Sequence, residues 1–205
     1  MVERDIVRRG VRDVRVLDAM RKVPRERFLP FERAHLAYTD APVTIAEGQT
    51  MSQPYVVAWM AEAAGIAPGA QVLEVGTGSG YAAAVLAELA GRVYTVERHD
   101  ALCAGARGRL SDLGYHNVTV RLGDGSLGWP EHAPFDAIVV AAGGPAAPRA
   151  LLEQLAIGGR LVMPIGDLAA QQLVRIERAE IDRYIEERLG SVTFVPLVGT
   201  QGWPE

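Results

Sequence analysis

The chain has 205 residues, 49% of them hydrophobic, which suits one domain with a full core. Net charge is −4 and no Lys/Arg-rich run stands out, so electrostatics give no support to a nucleic-acid partner. The N-terminus lacks the apolar run of a secretory signal, and every apolar stretch is shorter than a membrane span. Together these predict a cytoplasmic protein.

Cys103 is the only cysteine, which excludes an internal disulfide or a multi-cysteine metal site; it reads as a small apolar filler on a helix. His35, His99, His116 and His132 show no ligand spacing, so no metal is expected.

Residues Val2 to Val23 have helical spacing, with Gly10 as an interruption and Asp13 as the N-cap of the second piece. Pro24 and Pro30, in "VPRERFLP", end it. A loop-rich section follows, through Ser52. In "EGQTMSQPYVVAWM", Glu47 to Met60, the polar residues Gly48, Gln49, Thr50, Ser52 and Gln53 crowd ahead of an apolar segment. Pro54 suits the first turn of a helix. Ser52 or Gln53 either caps that helix or helps to hold a ligand.

From residue 71 strands and helices alternate. "QVLEV", "RVYTVE", "VTVRL", "FDAIVVAA" and "GRLVMPIG" read as strands, with helices over Tyr81 to Ala90, Ala101 to Leu113 and Arg149 to Leu155. Gly91 is expected to close the first of these helices. This rhythm predicts βαβ units and a parallel sheet covered on both faces. "QQLVRIERA" and "SVTFVPLVG" lack a full helix between them and predict an antiparallel pair at the sheet edge.

Ligands bind such sheets beyond the carboxyl ends of the strands. The first strand leads into "EVGTGSG", where Gly76, Gly78 and Gly80 let the backbone turn and approach a ligand. The second ends at Glu97, 21 positions after Gly76 and near the ~20 expected of an acid that binds ribose hydroxyls. The third runs into "GDG", where Asp124 could accept from an exocyclic amine. Each alone has an ordinary structural reading. At successive strand ends they point jointly to a nucleoside ligand. The glycine spacing is G-x-G-x-G followed by Tyr81, not the dinucleotide pattern, and the loop carries no basic residue for a phosphate. Glu74 would suit a cation, which favours S-adenosyl-L-methionine over NAD.

Several segments resemble the protein-L-isoaspartate O-methyltransferases: "VPRERFLP", "AYTDAP", "GQTMSQPYVVAWM", "VLEVGTGSGYAAAVLAELAGRVYTVE", "GDGSLGW", "PFDAIVV", "LLEQLAIGGRLVMPIG" and "FVPLVG". The likeness covers nearly the whole chain in order. Its most specific part is Gly-Gln-Thr-x-Ser-Gln-Pro, Gly48 to Pro54. It implies an α/β class I (Rossmann-like) methyltransferase fold of about seven strands, mostly parallel with an antiparallel edge and an unusual order of the last strands. One domain is expected over 1–205, with 1–52 as an N-terminal helical and active-site-loop addition and 53–205 as the core.

The resemblance also implies a repair enzyme. It would methylate the free carboxylate of isoaspartyl residues in damaged proteins or peptides; the ester then closes to a succinimide. The family's active-site serine falls on Ser52, with Thr50 and Gln53 on the substrate side. Its cofactor residues fall on Glu74, Gly76, Thr77, Gly78, Ser79, Gly80, Glu97, Asp124 and Gly125. The chain departs from the family at "PVTIAE", where Glu47 brings a negative charge near the expected path of an anionic substrate, and at Met51. Three alternatives stay open: a relative that esterifies ordinary aspartate, a non-catalytic adenosyl-binding module, and an NAD oxidoreductase, which Tyr81 disfavours.

Overall fold

The computed structural model describes residues 1–204. Val2–Ile6 and Val7–Arg9 form short helical turns that stop at Gly10, whose φ of 106° is left-handed. Helix α1 (Val14–Lys22) follows. The Asp13 carboxylate caps it, accepting from the amides of Arg15 at 2.8 Å and Val16 at 3.4 Å. Two-residue strands β1 (Val43–Thr44) and β2 (Thr50–Met51) pair as a hairpin with Glu47 and Gly48 at its tip, and α2 (Pro54–Ala64) begins just beyond. Glu62, the charged residue within the apolar run of α2, accepts from the amides of Arg12 at 2.6 Å and Asp13 at 2.7 Å. That bond pins the N-terminal segment to α2.

The core is a seven-stranded sheet of β3 (Gln71–Val75), β4 (Arg92–Glu97), β5 (Val118–Leu122), β6 (Phe135–Val140), β7 (Leu155–Gly166), β8 (Gln171–Glu180) and β9 (Arg183–Val192). Its order is β5-β4-β3-β6-β7-β8-β9. The pairs from β5 through β7 are parallel; β7 with β8 and β8 with β9 are antiparallel. Helices α3 (Tyr81–Leu89), α4 (Asp100–Asp112) and α5 (Arg149–Glu153) connect the parallel strands. Alternation along the strands separates two apolar clusters. Val72, Val93 and Val139 face α2, α3 and the N-terminal residues, whereas Leu73, Val96 and Ile138 face Leu151 of α5. No helix among the described residues is long and apolar enough to cross a membrane.

Two expectations need correction. The last strand is Arg183–Val192, not the "SVTFVPLVG" run. This edge strand is polar and largely exposed, so it shows no apolar alternation. The apolar residues Val195 and Leu197 cover a cleft instead, joined to Gly143 by two backbone bonds of 2.8 Å. Gly91 does lie just past the end of α3, but not in the left-handed turn of a helix-closing glycine. It lets β4 start against Gly69: a Cβ there would stand 2.8 Å from the Gly69 carbonyl oxygen. Gly91→Ala is expected to lose ~1–3 kcal/mol in urea unfolding, the scale of overpacking against backbone. Gly108→Ala, in α4 with nothing within 4 Å of the added atom, should instead gain up to ~1 kcal/mol. Equal effects at both sites would show that the Gly69 turn yields.

Candidate active site

Strand order reverses between β3 and β6, and there the chain leaves in opposite directions. A cleft of about 930 Å³ opens at this point, lined by Gly76 to Ser79, Glu97, Gly125, Ala141 and the segment Gln49 to Ser52. Gly76, Gly78 and Gly80 all have left-handed φ, of 94°, 53° and 90°. A side chain there would be strained, and at Gly78 it would project toward Ile45 of the hairpin, 3.6 Å away.

Glu97 is buried at the end of β4. Its Oε2 accepts from the Gly78 amide at 2.8 Å and its Oε1 from the His99 amide at 3.0 Å. Each oxygen keeps a further lone pair, so the carboxylate is oriented yet still able to accept from a diol. Gly125 lies directly over β3; a Cβ would come within 2.4 Å of Val75 Cγ1.

Not every expected residue reaches the cleft. Glu74 is fully buried and does not line it. The Thr95 hydroxyl donates to Glu74 Oε2 at 2.6 Å and is bonded in turn to Thr77 at 2.6 Å, while Glu74 Oε1 has no partner. Burial pushes the Glu74 carboxyl up to about 8, against the Thr95 bond and with a smaller push from Glu97. Glu74 is therefore mostly protonated at neutral pH, and it does not set the charge of the loop. It braces Thr77 from below.

Gly80 is the N-cap of α3 and packs against Ala106 and Leu110. The Asp124 carboxylate turns to its own surroundings. Oδ1 accepts from the Ser126 amide at 2.9 Å and the Ser126 hydroxyl at 2.6 Å, and Oδ2 from the Thr200 amide at 2.7 Å. Burial alone would raise its pKa, but the bonds from Ser126 and Thr200 hold it below the usual value.

A second cleft, of about 1130 Å³, adjoins the first. It is lined by Arg9, Gln53, Tyr55, Trp59 and Phe194, and it shares Thr50, Ser52, Ala141 and Val195 with the first. Ser52 therefore stands in the wall between two cavities. No side chain caps α2; its N-cap, Gln53, donates Nε2 to the Asp40 carbonyl at 2.9 Å instead. The bland reading of Ser52 as a helix cap is thereby removed. Glu47 sits at the exposed hairpin tip with φ 56° and lines neither cleft.

Sequence reasoning missed the aromatic lining of the second cleft. It also missed Arg25, which is fully buried and donates Nε to the Ala37 carbonyl and Nη2 to the Ser52 carbonyl, both at 2.7 Å. No pattern in "VPRERFLP" marks which of its arginines is inside. Among the described residues no group of three or more His, Cys, Asp or Glu side chains is placed to hold a metal ion.

The family model for protein-L-isoaspartate(D-aspartate) O-methyltransferase matches residues 1–202. The chain belongs to that family. It is 58% identical over 204 residues to the protein-L-isoaspartate O-methyltransferase of Protochlamydia amoebophila (strain UWE25), covering 99% of this chain and 97% of that one. A solved protein-L-isoaspartate O-methyltransferase superposes with a TM-score of 0.86 at 31% identity, covering 98% of this chain and 67% of its own. A second, from Plasmodium falciparum and in complex with S-adenosyl-L-homocysteine, gives 0.82 at 27% identity over 95% of both chains.

The protein is thus an S-adenosyl-L-methionine-dependent O-methyltransferase acting on isoaspartyl residues, and ordinary aspartate is not the favoured target. The cleft at the glycine turn fits an adenosyl group in the features that count. The glycine turn admits a ligand close to the backbone, and Glu97 presents a pre-oriented acceptor.

Two measurements follow. Glu97→Ala should weaken S-adenosyl-L-homocysteine binding by ~1–3 kcal/mol in calorimetry, the scale of a hydrogen bond to a charged group; unchanged affinity would remove Glu97 from the site. For Glu74, a folded pKa near 8 against 4.5 unfolded means the folded state holds the extra proton between those values. Stability should therefore fall as pH rises from 4.5 toward 8. Glu74→Gln, which keeps an amide beside Thr95, should flatten that slope. An identical slope in the variant would show that Glu74 ionises freely.

Proposed function

We propose that Ser52 aligns the isoaspartyl carboxylate for methylation, with the cofactor in the cleft at the glycine turn and the damaged peptide in the adjoining one. The observation that carries this is the position of Ser52 in the shared wall of both cavities. When bound, S-adenosyl-L-methionine supplies an electrophilic methyl group on sulfur and leaves as an uncharged thioether. The nucleophile is a carboxylate, ionised at neutral pH with a usual pKa near ~4, so the chain has no proton to move. What remains for the protein is to hold the reacting groups in line and keep water out, which in the best intramolecular cases is worth about 7–11 kcal/mol.

In this reading the Ser52 hydroxyl donates to the carboxylate without protonating it. The first-turn amides of α2 have no side-chain cap and add a positive dipole end nearby. Gly76 to Ser79 and Gly125 form the floor of the adenosyl site, Glu97 takes the ribose hydroxyls, and Asp124 and Gly80 shape the loops around it. Thr50 and Gln53 face the peptide. Residues 1–52, with α1 and the β1–β2 hairpin, are an addition to a single domain whose seven-stranded sheet and helices α2 to α5 come from 53–205. Proteins and peptides in the cytoplasm, not nucleic acids, are the proposed substrates, in keeping with the net charge of −4.

Ser52→Ala should slow single-turnover methylation of an isoaspartyl peptide by about 10²-fold, the cost of a misplaced reactant. Cofactor affinity and melting temperature should hold, because the side chain caps nothing. A loss of ~1 kcal/mol of stability at full rate would mean that Ser52 is a cap after all.

A further inference from the structure

Among the described residues, Arg25 is the one fully buried charge that the site chemistry leaves unexplained. Its side chain is 0% exposed. Two of its nitrogens donate to backbone carbonyls, Nε to Ala37 and Nη2 to Ser52 at 2.7 Å each, and the third, Nη1, has no partner. The guanidinium carbon lies 4.5 Å from the centre of the Tyr81 ring. No carboxylate pairs with Arg25 among the described residues. Asp40 acts on it only at longer range and is itself paired with Arg9 at 2.9 Å.

A buried, unpaired charge is expensive, and two neutral carbonyls and one ring only partly replace its hydration. Arginine stays charged in proteins, so it has no route to neutrality. A neutral side chain could fill the same space more cheaply, which points to a use for the charge itself.

That use follows from what lies on either side. Tyr81 lines the cofactor cleft, and Ser52 lines both clefts. Arg25 thus stands immediately behind the wall where the substrate carboxylate is to be aligned. We propose that Arg25 is a positioning residue for methyl transfer: it locks the Ser52 backbone through its forked donors, and its unneutralised charge draws the anionic substrate without touching it. The inference rests on the role of Ser52 proposed above.

Distance is the point of the arrangement. A guanidinium in direct contact would bind the carboxylate tightly in the ground state and dull its attack, since the anion loses its charge as the ester forms. Held one layer back, behind the Ser52 main chain, the cation raises substrate occupancy while the neutral serine hydroxyl does the orienting. In a partly dry wall such a charge still acts over several ångströms.

The test uses the full chain with Arg25→Gln and Arg25→Lys. The readouts are kcat and KM for an isoaspartyl peptide at saturating S-adenosyl-L-methionine, and the dissociation constant of S-adenosyl-L-homocysteine. A third is inhibition by the same peptide with its free carboxylate replaced by a neutral amide. Arg25→Gln should raise KM for the anionic peptide roughly ten-fold, as expected for losing a charge at that range, while the amide peptide and S-adenosyl-L-homocysteine bind as before. Arg25→Lys keeps the charge but not the fork, so KM should stay within about two-fold and kcat should fall at least ten-fold, the effect of a shifted Ser52.

If Arg25→Gln weakens the anionic and amide peptides alike, or Arg25→Lys loses KM as fully as Arg25→Gln, the charge has no role of its own and the proposal fails. Arg25→Lys decides the matter alone should Arg25→Gln not fold. Ser52→Ala is the separate control: full activity in that variant overturns the serine assignment whatever the Arg25 variants show.

Discussion

Two backbone hydrogen bonds make the site possible. The Gly76 amide donates to the Val96 carbonyl at 2.9 Å, and the Ala141 amide donates to the Val75 carbonyl at 2.8 Å. They are the last rungs of the ladders that join β3 to β4 and β6. Beyond them the chain after β3 turns into α3, and the chain after β6 runs the other way. Parallel strands cannot close this gap with a tight turn, because each must be followed by a crossover. The opening is therefore a consequence of topology, before any side chain is considered. Gly78 is delivered over it, Glu97 reaches the Gly78 amide from the neighbouring strand, and Gly125 closes down on Val75 from the next.

Topology leaves the opening without a lid, and local sequence supplies one from two distant places. The hairpin of β1 and β2 brings Gln49 to Ser52 over one side. The tail brings Val195 to Val198 over the other and is tied back by Trp203, whose Nε1 donates to the Gly143 carbonyl at 3.0 Å. Asp124 belongs to this tie. Its carboxylate takes the Thr200 amide, and a Cβ at Gly199 would stand only 2.1 Å from its Oδ1. An acid at a strand end thus fastens the cover of the cleft, where the sequence pattern alone suggested contact with the ligand.

What was legible in the sequence was what repeats or obeys local rules. The βαβ rhythm follows from burial on both faces of a parallel sheet, and Asp13 and Pro54 act through their own backbone neighbours. Glu97 was found by its spacing from the glycine turn, a distance that one strand-helix-strand unit imposes. What stayed hidden depends on partners far along the chain. The polarity of β9 is that of an exposed edge, so alternation was absent just where a strand was needed. The SVTFVPLVG run looked like a strand because it is apolar, but beyond Val192 its Phe194, Val195 and Leu197 pack onto the core from an irregular segment that also lines the clefts. Arg25 takes its meaning from Ser52, 27 positions later, and from Tyr81, 56 positions later. Glu74 read as a charge because sequence carries no burial.

Glu74 and Arg25 make an instructive pair, for both are ionisable, both wholly buried, and each has one unpartnered polar atom. Desolvation acts on both in the same sense, against the charged form: it raises the carboxyl and lowers the guanidinium. The outcomes differ because the starting points differ. A carboxyl moved to about 8 takes up a proton at neutral pH and becomes a neutral hydrogen-bonding brace beneath the glycine turn. A guanidinium begins so far above neutrality that the same push leaves it charged. Glu74 can therefore be explained by packing and hydrogen bonding alone. For Arg25 the cost of the charge persists in the folded state, and it has to be offset by something that responds to charge. Within reach of that wall, the approaching anion is the group for which it makes a difference.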